Sequence, residues 1–246
     1  MQQEQVDWFE RWFGSEYYQI LYRHRDELEA KAFVNHLINY LQPLPLSSMV
    51  DIACGEGRHS KELADLGFDV VGIDLSATSI QKAKQSEQEN LHFFVHDMRY
   101  PFYTNYFDYA FNFFTSFGYF ATQHDHQLAA KSFARGLKKG GILVIDYLNR
   151  EYALQQLKES ETVLRGDFEF LIKRRLDGNH FVKDIFFQDQ ENMQRHYTES
   201  VAAFTLADFI RMFKAADLSL IANFGDYELN SYHPLDSPRM IMVFKK

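Results

Sequence analysis

Cysteine is nearly absent: Cys54 is the only one in 246 residues. A single thiol excludes an internal disulfide and any metal site built on several cysteines, and it suits a reducing compartment. An excess of positive charge is missing too. Lys and Arg number 26 against 34 Asp and Glu, a formal charge of −8, so the basic face that a nucleic-acid partner needs is not expected. No uninterrupted apolar run approaches the ~20 residues of a membrane span. The start of the chain, MQQEQVDWFERWF, has no basic region followed by an apolar stretch, so no signal peptide is read there. These absences point to a soluble, cytoplasmic chain with no membrane contact. What remains is a globular composition, 46% hydrophobic and 24% charged, of a length that suits one large α/β domain or one domain with an insertion. The 24 Phe and 14 Tyr are more than a core of this size demands, so some are available to line a pocket.

Along the chain, RDELEAKAFVNHLINYL places Ala30, Val34, Leu37, Ile38 and Leu41 at helical spacing, and Pro43 and Pro45 end that helix. An alternation follows. Strands are expected at Met49–Ala53, Phe68–Ile73, Leu91–His96, Phe107–Phe113 and Ile142–Leu148. Helices are expected at Arg58–Leu66, with Gly67 as its stop, from a Ser76 cap to about Glu89, and from about His124 to Lys138, stopped by Gly140-Gly141. This order predicts a mostly parallel sheet with helices on both faces. The pattern then changes. After a short helix near Glu151–Glu159 come three apolar runs, Phe168–Leu176, His180–Gln188 and about Arg195–Phe204, the first two joined by Asp177-Gly178, a hairpin signal. The expected organisation is therefore a main domain from 1–161 and 204–246 with an antiparallel β insert at 162–203. Thr205 caps a further helix, and strands at Leu218–Phe224 and Met240–Phe244 close the chain.

Chemistry concentrates in VDIACGEGRHS, Val50–Ser60. Gly55, Gly57 and Ser60 nearly satisfy G-x-G-x-x-G, and Asp74 stands where a ribose-binding acid belongs, so a dinucleotide is one candidate ligand. Three features favour another. Asp51 lies just ahead of the turn, where a carboxylate suits an amine better than a pyrophosphate. Ser60 replaces the third glycine. Asp97 follows the third strand, placed to accept from an adenine amino group. Three acids at the C-terminal ends of strands one to three would repel a diphosphate. They would suit a ligand that carries a sulfonium, an ammonium, a ribose and an adenine, which describes S-adenosylmethionine.

From about Met49 to Asn149 the sequence resembles the class I S-adenosylmethionine-dependent methyltransferases. The resemblance rests on Asp51-Ile-Ala53-Cys-Gly55-Glu-Gly57, with Ala53 in place of the first family glycine, on Asp74 in GIDLS, on Asp97-Met98, on NFFTSFGYF (Asn112–Phe120) and on LKKGGILVIDYLN (Leu137–Asn149). It implies a Rossmann-like α/β fold of seven strands, the last antiparallel and slotted between the fifth and sixth, with the β insert as lid or dimer contact. It implies a small-molecule acceptor methylated on N or O. The implied cofactor contacts are backbone around Ala53, Gly55 and Gly57 against the methionine part, Asp51 to its ammonium, Arg23 or Arg58 to its carboxylate, Asp74 to the ribose, Leu75 and Met98 around the adenine, and Asp97 to its amino group. Tyr22, His24, Tyr119 and Tyr147 are the candidate bases. No metal is called for. The rival readings are an NAD-dependent oxidoreductase and a non-catalytic cofactor-binding protein of the same fold.

Overall fold

The computed structural model describes residues 12–22 and 27–246. Arg23 and His24 lie outside the described residues. Helices α1 (Glu16–Tyr22) and α2 (Glu27–Leu41) precede an alternation of β1 (Ser48–Ile52), α3 (Arg58–Asp65), β2 (Asp69–Asp74), α4 (Ala77–Ala83), β3 (Leu91–Val95), β4 (Phe107–Asn112), α5 (Gln123–Gly136) and β5 (Leu137–Leu148). A short α6 (Arg150–Gln155) leads into four strands, β6 (Ser160–Arg165), β7 (Phe168–Asp177), β8 (His180–Gln188) and β9 (Gln194–Ala202). The chain then returns through α7 (Leu206–Lys214), β10 (Ser219–Phe224) and β11 (Arg239–Lys245).

Seven strands form the main sheet in the order β10-β11-β5-β4-β1-β2-β3, and β6 to β9 form a second sheet in sequence order. β11 runs antiparallel to both β10 and β5, while β1 pairs in parallel with β2 and β4. This is the expected seven-stranded, mostly parallel arrangement. Its centre is legible in composition: β1, Ser-Met-Val-Asp-Ile, is buried at every position, as a strand covered on both faces must be. Val50, Ile52, Ile73, Ala110, Leu143 and Ile145 pack on one side with Ala129, Ala130 and Phe133 of α5 and Phe209 and Phe213 of α7. Met49, Val70, Phe111 and Val144 pack on the other with Phe33, Val34 and Leu37 of α2 and Leu63 and Ile80 of α3 and α4.

The expected caps are in place. The Ser76 hydroxyl accepts from Ser79 N at 3.1 Å, and Thr205 and Asp208 form a reciprocal capping box on α7, which satisfies backbone donors that the first turn leaves over. Three boundaries differ. The helix capped by Ser76 ends at Ala83 and passes into a 3₁₀ turn, Lys84–Ser86. α5 stops at Gly136, and Gly140-Gly141 belongs to β5: Phe107 pairs with Leu137 and Tyr109 with Ile142, so residues 138–141 bulge out, with Gly140 at φ 81°. The second sheet has a fourth strand, β6. Ser-Glu-Thr-Val-Leu-Arg at its edge never becomes buried, so it carries little apolar signal, as charged edge strands do. Phe168, Phe170, Ile172, Ile185 and Phe187 of this sheet pack on Trp12 and Leu21. No helix among the described residues is long and apolar enough to cross a membrane.

Candidate active site

At the C-terminal ends of β1 and β2 the chain makes a left-handed turn, with Ala53 at φ 61°, Gly55 at 57° and Gly57 at 84°. Asp74 holds this turn. One carboxylate oxygen accepts from Gly55 N at 2.9 Å, and the other accepts from Ser76 N at 2.8 Å. Burial pushes the Asp74 carboxyl above its ordinary range, while the two N–H bonds draw it back. Gly57 serves packing: a Cβ there would meet Cζ of Phe93 at 2.5 Å. Gly57→Ala is therefore expected to cost about 1–3 kcal/mol through overpacking. Differential scanning calorimetry would show a lowered melting temperature; an unchanged one would contradict both the Phe93 clash and the strain of a side chain at φ 84°.

A cavity of about 630 Å³ opens at this edge. Ala53, Gly55, Asp74, Leu75, Asp97 and Met98 line its inner end, with Phe114, Thr115 and Tyr119 beside them and the β6–β9 sheet above. That volume falls in the range of small-molecule and cofactor sites. Leu75 and Met98 supply apolar walls on either side of two acids. Asp97 is engaged by its own loop: Arg99 Nε and Nη2 donate to its Oδ2 at 2.8 and 2.6 Å.

Six of the expected cofactor residues thus share one cavity. Others do not. Asp51 is 1% exposed, accepts from Ser60 Oγ at 2.6 Å and lies off the cavity wall. Of the two expected routes from Asp51 to the ammonium, direct or through water, this position beneath the turn leaves the indirect one. Gly57 and Arg58 are also off the wall; the Arg58 guanidinium sits over the Phe114 ring at 5.0 Å. Tyr147 is fully buried and donates to Ala202 O, so its hydroxyl is a core group and not a base. Tyr119 and Tyr22 both line the cavity. Tyr22 Oη donates to Glu199 Oε1 at 2.8 Å and accepts from Lys183 Nζ at 2.5 Å.

Sequence reasoning passed over several wall residues. Glu199, buried and held below its usual range mainly by Lys183 against the cost of burial, also accepts from Trp12 Nε1 at 2.7 Å. Arg174 and Lys183 reach the wall from β7 and β8. Their signal was available: Arg174 continues the inward set Phe168, Phe170, Ile172 at period two, and a charge in an apolar set is informative. Arg239 also lines the cavity, paired with the buried Asp146.

A seven-stranded sheet with β11 inserted antiparallel is the fold of the class I S-adenosylmethionine-dependent methyltransferases. Residues 49–141 match the family model described as a methyltransferase domain. Over 101 residues the chain is 38% identical to YqeM of Bacillus subtilis (strain 168), covering 40% of this chain and 41% of that protein. It is 33% identical, again over 101 residues, to the dTDP-3-amino-3,4,6-trideoxy-alpha-D-glucopyranose N,N-dimethyltransferase of Streptomyces venezuelae, covering 41% and 42%. The matched stretch thus spans about two fifths of these relatives' lengths. Among solved structures, an S-adenosylmethionine-dependent methyltransferase from Clostridium acetobutylicum ATCC 824 shares the fold with a TM-score of 0.77 at 16% identity, covering 93% of this chain and 95% of that one.

Proposed function

We propose that the chain transfers a methyl group from S-adenosylmethionine to a nitrogen or oxygen of a small molecule. The observation that carries this is the gathering of Asp74, Leu75, Asp97 and Met98 with the Ala53–Gly55 turn on one closed-over cavity. The donor set fits the cofactor. Asp74 is an acceptor-only group beside apolar Leu75 and Met98, which suits a ribose diol next to an adenine face, and Asp97 stands where the adenine amino group would reach. Ala53 and Gly55 offer backbone to the methionine part. Asp51 lies beneath the turn, and burial raises its carboxyl to about 7, so it favours an ammonium above it through the field only where it is ionised and not by contact.

The bound donor supplies a methyl group already activated by a positive sulfur. The chain's task is then to align a nucleophile and to exclude water, for which alignment alone is worth roughly 7–11 kcal/mol. The lid sheet and Phe114, Tyr119 and Leu148 shape the space where the acceptor enters. Tyr119 and Tyr22 are the groups placed to take a proton from a hydroxyl or an ammonium; an amine that arrives neutral needs neither. The Streptomyces venezuelae relative, by name an amino-sugar N,N-dimethyltransferase, supports an amine acceptor. Its sequence likeness spans 41% of this chain, so the acceptor itself is read from the lid.

Calorimetric titration with S-adenosylhomocysteine tests the reading. Asp74→Ala removes a charged acceptor from the ribose and frees the Gly55 turn, so affinity should fall about 10- to 100-fold, the equivalent of roughly 1.5–3 kcal/mol for charge-assisted hydrogen bonds. Unchanged affinity would remove the assignment. Binding of NAD without S-adenosylhomocysteine would support the oxidoreductase, and cofactor binding with no transfer to a panel of amines, alcohols and acids would support the non-catalytic protein.

A further inference from the structure

The inner face of the lid sheet carries a row of charge between apolar rows. Arg174 of β7 lies directly opposite Lys183 of β8, and Lys183 directly opposite Glu199 of β9. The next inward row on one side is Ile172 and Ile185; on the other it includes Phe181 and Val201. Like charges directly opposite in a sheet are destabilising, and more so on a half-buried face, where water screens them poorly. The acids of the row offset part of this, each from one side only. Glu161 of β6 holds Arg174 Nη2 at 2.5 Å from the outer side of β7, and Glu199 holds Lys183 Nζ at 2.8 Å from the far side of β8. Each cation is anchored from outside the pair, and no carboxylate stands between them among the described residues. Nε and Nη1 of Arg174 donate to no acceptor among the described residues. Arg174, Lys183, Glu161 and Glu199 all line the cavity, together with Lys158 and Arg175. The lid end therefore has Arg174, Lys183 and Lys158 against Glu161 and Glu199, with Arg175 paired to Asp184, while the sheet end has Asp74 and Asp97, with Arg239 paired to Asp146. The cavity is polarised along its length.

We infer that Arg174 and Lys183, with Lys158 beside them, bind an anionic group of the methyl acceptor, a carboxylate or a phosphate, so that the acceptor enters charged end toward the lid and nucleophile toward the sheet. This rests on the methyl-transfer reading for the word acceptor and on the lid geometry for the anion. A planar guanidinium with two free donors suits either group, since both accept in bidentate fashion. The anion would relieve the repulsion of the opposed pair, and its own charge would keep it from the acids that cradle the cofactor. A neutral acceptor would leave the two unused donors of Arg174 without an acceptor.

The test uses the full chain, with and without saturating S-adenosylhomocysteine, at low ionic strength. Inorganic pyrophosphate and succinate are titrated by calorimetry into the parent, Arg174→Gln, Arg174→Lys and Lys158→Ala. One probe should bind the parent, and its identity distinguishes phosphate from carboxylate. Arg174→Gln should weaken that binding about tenfold or more and Lys158→Ala by a smaller factor, as loss of charge-assisted hydrogen bonds requires. Arg174→Lys keeps the charge but loses the bidentate fork, so its affinity should fall between those of the parent and Arg174→Gln. Affinity for S-adenosylhomocysteine should stay level in all four proteins, because none of these side chains touches the Asp74 end. Failure of both probes to bind the parent, or equal binding to the parent and Arg174→Gln, overturns the inference. Should Arg174→Gln lose its circular-dichroism melt, Lys158→Ala, on a side chain with no ion pair among the described residues, carries the same comparison. If a probe binds as stated while S-adenosylhomocysteine does not, the cofactor reading falls and the anion site stands.

Discussion

Between about pH 4.5 and 6.5 the urea-unfolding free energy of Asp51→Asn should rise by about 2–3 kcal/mol, where that of the parent changes by less than about 1 kcal/mol. The reason is that two buried groups titrate in opposite senses. Burial pushes the Asp51 carboxyl up from 3.8 to about 7, against the Ser60 hydrogen bond that pulls it down. The folded state then holds a proton that the unfolded chain has already released. Over this window folding binds more protons, so Asp51 makes stability fall as pH rises. His59 does the reverse. Its ring is 6% exposed and stacked on Phe113 at 4.4 Å, and burial drives it from 6.5 down to about 3. The unfolded chain takes up a proton that the folded ring refuses, and stability climbs with pH. Each contribution is on the order of 4–5 kcal/mol over its full range, and the two windows nearly coincide. Asp74 adds in the sense of Asp51 and His126 in the sense of His59. The carboxylates held low by partners, Asp108, Asp184 and Glu199 among them, act below this window. Asn at position 51 keeps an acceptor for Ser60 and removes only the titration. His59→Gln should show the mirror image, a fall of similar size. A parent and Asp51→Asn that run parallel across the window would contradict the argument.

That pairing illustrates what sequence could and could not deliver. The order of strands, the antiparallel closing strand and the two caps were legible because each is written in local residues: β-branched runs, Ser76 and Thr205 ahead of helices, Asp177-Gly178 between alternating segments. Asp74, Asp97, Leu75 and Met98 were legible because ligands of open α/β sheets gather at strand C-termini. Asp51 was read as reaching the ammonium directly or through water, because position alone does not reveal that Ser60, nine residues on, turns back and covers it. The Gly140-Gly141 pair was read as a helix stop because helix ends and wide bulges use the same glycine chemistry; only pairing with Phe107 and Tyr109 decides between them. The lid row was hidden for a third reason. Arg174, Lys183 and Glu199 are consecutive only across strands, and cross-strand register is a long-range property.

The same long-range logic governs the largest single loss of stability expected in this molecule. Asp146 of β5 is 0% exposed, and Arg239 of β11 bonds to it through Nε at 2.7 Å. The other carboxylate oxygen accepts from Phe114 N at 2.9 Å and from Tyr227 Oη at 3.2 Å, and Asp146 O accepts from Thr115 N at 2.9 Å. Phe114 and Thr115 stand at φ 54° and 60°, a left-handed pair of side-chain-bearing residues that costs of order 1–3 kcal/mol each unless the surroundings hold it. Asp146 is what holds it, and both residues face the cavity. Removing the carboxylate strands a cation and releases a strained turn together. Asp146→Leu should therefore cost about 3–5 kcal/mol, a melting temperature lower by roughly 6–20 °C for a chain of this size. Arg239→Met should cost a similar amount, since it leaves the carboxylate buried without its cation. The double variant has no stranded charge, so it should be more stable than the sum of the singles predicts by about 1–3 kcal/mol. Strict additivity in that cycle would mean that the pair is not coupled, and that the turn at Phe114 and Thr115 is held by backbone alone.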